Sequence, residues 1–209
     1  MIRIHPNRHI LIHIPKNGGT SIRENSHNVV HVNNQMVDRR FLTPDHLPQM
    51  VHHTPATYLQ RELKSHPKVA VVRNPWSRLV SLYEHADHLR ENGVGEYFQR
   101  DKISWDEFID RIDVYAHTSH FYYNHPYDHF GSQWDWLTRE VKLLRYEHLA
   151  EDYENLFGIE LETYANKGVY KEDYKCYYST DQIQKVRDWF RVDIHKFGWD
   201  FETTARNVR

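Results

Sequence analysis

The chain has 209 residues, room for one sizeable core and little more, so a single domain over 1–209 is expected. Lys and Arg total 27 against 29 Asp and Glu, a formal net charge of −2, which gives no reason to expect a partner of duplex nucleic acid. A single cysteine, Cys176, excludes an intramolecular disulfide and suits a reducing, cytoplasmic compartment, and no apolar stretch approaches membrane-spanning length.

In chain order, residues 8–14 read as a buried strand that ends in "HIPKNGG", and residues 20–23 open a helix. Residues 28–32 ("NVVHV") form a second short strand, and 33–50, with Pro44 and Pro48, read as loop. Thr54 and Pro55 are a capping residue and a first-turn proline, which predicts a helix to about residue 64. The β-branched run 68–72 ("KVAVV") suits a central parallel strand. Asn74 and Pro75 start the next helix, with Leu79, Val80, Leu82 and Tyr83 on its apolar face. Further helices are expected over 104–112, 148–157 and 180–197, and a last strand over 141–144. Strands alternating with helices indicate an α/β fold with a mainly parallel sheet.

The abundance of histidine, 17 residues, invites a metal reading. His5, His9 and His13 fall four apart, but Pro6 and the following strand break the helix that would align them. His85 and His88 are helical neighbours without a carboxylate-backed third ligand, so no metal is expected. The segment 117–130 ("HTSHFYYNHPYDHF") is rich in rings. It reads equally as a surface for stacking on sugars or as a packed loop.

Two segments carry chemistry. In the first, a strand runs into Pro15-Lys16-Asn17-Gly18-Gly19-Thr20-Ser21 and then a helix. Glycines let the backbone approach an anion, the hydroxyls add donors, and a lysine supplies charge. Lys16 precedes the glycines, so this is not a Walker A loop, in which lysine follows them. That placement suits a lysine at the outer, transferred end of a nucleotide while the turn holds the inner phosphate. In the second segment, Arg73 sits where a buried strand ends, and Ser81 lies two turns into the next helix with Arg78 three residues before it. Such groups can converge on another phosphate. On its own, this second segment is as well explained by an ordinary helix start.

Together, "PKNGGTS" (15–21) and "RNPWSRLVSLY" (73–83) resemble the PAPS-dependent sulfotransferases, in particular their carbohydrate, Golgi-type branch. The order of "HHTPATYL" (52–59), "SQWDWL" (132–137), "LLRYEHLAEDY" (143–153) and "NKGVYKEDYKCYYS" (166–179) extends the likeness over most of the chain. Asn17 departs from the usual threonine.

The resemblance implies a P-loop-like three-layer fold with helices flanking the sheet. It implies that Lys16 contacts the bridging oxygen of the phosphosulfate, and that Asn17, Gly18, Gly19, Thr20 and Ser21 hold its 5′-phosphate. Arg73 and Ser81 would take the 3′-phosphate of PAPS, and PAP would be the product. Lys167 and Gly168 match a late loop that closes over the nucleotide, though an exposed turn reads the same way. His53 matches the family's base, with His52 the alternative and a pair of surface residues the plain reading. Gln133 and Trp134 could line the acceptor site or belong to the core. The acceptor is expected to be a carbohydrate hydroxyl, without metal or membrane partner. A start almost directly at the first strand suggests a minimal, unanchored version, as a bacterial or viral protein would be. A nucleotide kinase and a non-catalytic 3′-phosphoadenosine binder are the competing readings.

Overall fold

The computed structural model describes residues 8–24, 28–33, 36, 54–91, 103–113, 129–162 and 173–202. Four short strands form one sheet: β1 (His9–Ile12), β2 (Val29–His31), β3 (Lys68–Val72) and β4 (Val141–Arg145). Their spatial order is β2-β1-β3-β4 and every pairing is parallel, with Ile12 opposite Ala70 and Val72 opposite Arg145. Parallel neighbours need crossover connections, and these carry the helices onto the faces of the sheet.

Alternation along the strands decides what each face meets. Ile10, Ile12, Ala70 and Val72 point to one side, where they pack with Leu59, Trp136, Phe197 and Trp199. Leu11, Val69, Val71 and Leu144 point to the other. There they meet Ile22 of α1 (Gly19–Glu24) and Leu149 and Tyr153 of α4 (Leu149–Phe157). A third cluster joins Trp76, Leu79 and Leu82 of α2 (Pro75–Glu91) to Phe108 of α3 (Trp105–Asp110) and Val186 of α5 (Thr180–Trp189). The chain is thus a three-layer α/β fold, as its alternating pattern indicates.

Local chemistry accounts for the element starts. Asn74 caps α2, its Oδ1 accepting from Trp76 N at 3.0 Å. Ser104 caps α3, and Ser179 with Gln182 forms a capping box on α5.

Two expectations fail. Residues 54–64 form no α-helix but two 3₁₀ turns, Ala56–Tyr58 and Arg61–Leu63. Leu59 is extended, with its side chain buried, and Gln60 N donates to Met36 O at 2.8 Å, so a tertiary contact overrides the helical start. The long C-terminal helix is broken at Phe190 (φ −99°, ψ 26°) into α5 and α6 (Arg191–Phe197). Phe190 is anchored in the third cluster. The bend brings α6 against a short 3₁₀ turn, Gln133–Trp136.

Candidate functional site

In the order β2-β1-β3-β4 the chain leaves β1 toward β2 and later returns to β3 on the other side of β1. The carboxyl ends of β1 and β3 therefore flank a topological switch point, the place where open α/β sheets bind ligands. The Lys16 loop follows β1 and Arg73 follows β3. The fold brings the two chemistry-bearing segments side by side.

Their contact is direct. Arg73 is buried, donating from Nη1 to Lys16 O at 3.0 Å and from Nε to Ser77 Oγ at 2.9 Å. Its guanidinium lies 3.9 Å from the ring centre of Tyr146, which follows β4. Lys16 has φ 66°, a left-handed conformation uncommon outside glycine, and the bond to its carbonyl helps to hold it there. Burial first, and the Arg73 charge second, pull the Lys16 ammonium down from 10.5 to about 7.

The two glycines have distinct reasons. Gly18 combines φ 81° with a close approach to Tyr146: a Cβ there would lie 2.8 Å from a ring carbon. At Gly19 a Cβ would lie 2.1 Å from a carbon of the His13 ring. His13 itself is buried beside β1. Thr20 is half-buried and Ser21 buried at the start of α1.

Arg78 is buried and bonds two backbone carbonyls, its Nε donating to Pro15 O at 3.2 Å and its Nη1 to Gly131 O at 2.9 Å. These bonds clamp the loop to α2. Ser81 is nearly buried, one turn beyond Ser77 on the helix that carries this clamp.

Asn17 turns its side chain inward. Its Nδ2 donates to Val71 O at 2.8 Å and to Gln133 Oε1 at 2.6 Å, so only its backbone can serve an anion. Gln133 is fully buried in the same network and cannot line an acceptor site as it stands. Trp134 remains 41% exposed, with the Lys196 ammonium 4.7 Å from its ring centre. His52, His53, Lys167 and Gly168 lie outside the described residues, as does most of the aromatic segment.

Three residues beside these segments carry no site role in the sequence reading. Tyr146 underlies both Gly18 and Arg73. Glu147 accepts from Asn74 N at 2.8 Å, and burial pushes its carboxyl up from the usual carboxylate range. The "RYEH" stretch (145–148), noted only for its order, held the signal for both. The third is His85, one turn beyond Ser81. Burial, then the charges of Lys16 and His88, lower its imidazole from 6.5 to about 4. It is a neutral ring within the field of Lys16.

Among the described residues no group of three or more His, Cys, Asp or Glu could hold a metal ion. No helix among them is long and apolar enough to cross a membrane.

The model of a sulfotransferase family matches residues 2–121, more than half of the chain, including residues 15–21 and 73–83. The chain belongs to that sulfotransferase family, and it is a PAPS-dependent sulfotransferase with the family's P-loop-like α/β fold. No curated protein matches it. Among solved structures, a sulfotransferase from Alicyclobacillus acidocaldarius is similar at a TM-score of 0.46 and 14% identity, over 93% of this chain and 94% of that one.

Proposed function

We propose that the chain moves the sulfuryl group of PAPS to a hydroxyl of a sugar or glycan in the cytoplasm, releasing adenosine 3′,5′-bisphosphate. The observation that carries this reading is the bond from the Arg73 guanidinium to the Lys16 carbonyl, which joins the loop after β1 to the end of β3 at the switch point. The Arg73 guanidinium holds the Lys16 backbone, and burial together with the Arg73 charge pulls the Lys16 ammonium down to about 7, so an anion bound there would complete the charge of the site. A nucleotide with phosphate on both its 5′ and 3′ oxygens gives each cation a partner.

In this reading the backbone of residues 17–21, with the Thr20 and Ser21 hydroxyls, holds the 5′-phosphate. Arg73 and Ser81 take the 3′-phosphate, and Lys167 and Gly168 close over the nucleotide. The acceptor oxygen attacks sulfur in line, its bond to sulfur forming as the bond from sulfur to the 5′-phosphate oxygen breaks. Lys16 stabilises the charge that develops on that leaving oxygen. His53 takes the acceptor proton, with His52 the alternative. The transferred group carries one negative charge, so lysine and backbone donors suffice without a metal. Trp134, exposed beside Lys196, offers an apolar ring face to an acceptor sugar.

A second reading of the base is favoured by one observation. His85 is held neutral near Lys16 and lies on the helix that carries Ser81. A kinase is disfavoured by the order of lysine and glycines, and a non-catalytic nucleotide binder by the presence of both Lys16 and His53. Incubation with labelled PAPS and a panel of mono- and oligosaccharides tests the proposal. Label should enter a sugar, and label only in inorganic sulfate across a broad panel would count against the acceptor class.

A further inference from the structure

One side chain ties the two halves of the site to the C-terminal helices. Gln133 Oε1 accepts from Arg73 N at 2.9 Å, and Gln133 Nε2 donates to Arg73 O at 2.7 Å. The amide thus pairs with the Arg73 backbone as a neighbouring strand would, adding a rung where β3 ends. The same Oε1 accepts from Asn17 Nδ2 at 2.6 Å, and that nitrogen also bonds Val71 O. Asn17 and Gln133 are buried to 1% and 0% exposure, so water cannot replace these bonds.

Gln133 is fixed in turn. Asp193 of α6, fully buried, accepts from Ser132 Oγ at 2.6 Å, Gln133 N at 2.9 Å, Trp134 N at 3.0 Å and Gln133 Nε2 at 3.3 Å. These bonds also fix the orientation of the amide. A flipped Gln133 would set its oxygen against Arg73 O and the Asp193 carboxylate. A flipped Asn17 would set its oxygen against Val71 O and Gln133 Oε1.

We propose that Gln133 is a positioning residue, setting the Asn17 loop and the Arg73 strand end at the spacing that binds both phosphates of one nucleotide. The role rests on the nucleotide reading above, but its structural half does not. Arg73 reaches Lys16 O from a backbone held in this register, so loosening the amide should loosen the guanidinium and the left-handed Lys16 together. The bend at Phe190 also acquires a purpose, since it turns Asp193 toward the amide.

The test compares Gln133→Met, Asn17→Ala and the double variant. Without ligand, amide exchange at Arg73 should quicken about tenfold or more in Gln133→Met while amides inside β3 keep their protection. With ligand, the preference for adenosine 3′,5′-bisphosphate over AMP should fall about tenfold in Gln133→Met. It should also fall in Asn17→Ala, although Asn17 belongs to the 5′ loop. The double variant should lose less than the product of the two single losses, because both variants break the Asn17–Gln133 bond. Unchanged exchange at Arg73, equal weakening of both nucleotides, or multiplying losses in the double variant would overturn the proposal. If Gln133→Met does not fold, Asn17→Ala decides through the same two readouts. A wild-type protein indifferent to the 3′-phosphate would sink the nucleotide reading, leaving amide exchange to judge the link.

Discussion

Arg73 and Lys16 are joined side chain to backbone: the guanidinium of one holds the carbonyl of the other at 3.0 Å. The residue expected at one phosphate therefore also shapes the loop expected at the other. Arg73→Ala should abolish the preference for adenosine 3′,5′-bisphosphate over AMP, a loss of about tenfold or more for a charge-assisted contact. Arg73→Lys should recover little of it, since an ammonium cannot span Lys16 O and Ser77 Oγ and still lie flat on Tyr146. Calorimetric titration of both variants with both nucleotides checks this, and a retained preference in Arg73→Ala would refute it.

Lys16 should take up a proton when nucleotide binds. Its ammonium sits at about 7 in the free protein, and a phosphosulfate beside it pushes that value up, so at pH 8 binding draws protons from solution. Titrations in two buffers of different ionisation enthalpy should reveal an uptake that Lys16→Met lacks. The stability consequence has a definite sign. The native value lies below the unfolded one, so the cost of burying the charge is fully present below about 7. It fades as pH rises toward 10.5, and stability climbs across that window. Lys16→Met should flatten the climb in thermal melts while lowering turnover sharply.

The histidines separate by what each variant loses. His53→Ala should keep nucleotide affinity, lose turnover and erase the acid limb of the pH–rate profile, whereas His52→Ala should do much less. If His53→Ala turns over normally and His85→Ala does not, the base is on α2. In that case the acid limb should lie near pH 4, where burial and Lys16 hold that ring.

Gly19→Ala should destabilise the fold by about 1–3 kcal/mol through overpacking, because the new methyl would meet the His13 ring at 2.1 Å. His13→Ala in the same chain should recover part of that loss. Thermal melts of the single and double variants decide it. An unimpaired Gly19→Ala would mean that anion approach, rather than packing, explains this glycine.

Much of the site was legible because its signals are short-range. A β-branched run marks β3 to the residue, Lys68–Val72, and a strand ending in glycines marks the loop. What stayed hidden depends on distant partners. Nothing in 180–197 is glycine or proline, so the break at Phe190 has no local mark and arises from the burial of its ring. Asp193 looks like a surface acid on an amphipathic helix, yet it is fully buried under four donors. Gln133 and Asn17 look like ligand-facing polar residues, and only their pairing across more than 100 residues shows that they face each other. Residues 54–64 carry a sound helix start that an extended Leu59, bonded through Gln60 to Met36, overrides.

The most direct test is a calorimetric titration of the full chain with adenosine 3′,5′-bisphosphate, AMP and ATP–Mg²⁺, each in the presence and absence of EDTA. The bisphosphate should bind one per chain, at least about tenfold more tightly than AMP and with no change on chelation, while ATP–Mg²⁺ binds weakly. Tight magnesium-dependent binding of ATP, with no preference for a 3′-phosphate, would contradict a site built by Lys16 and Arg73 for PAPS.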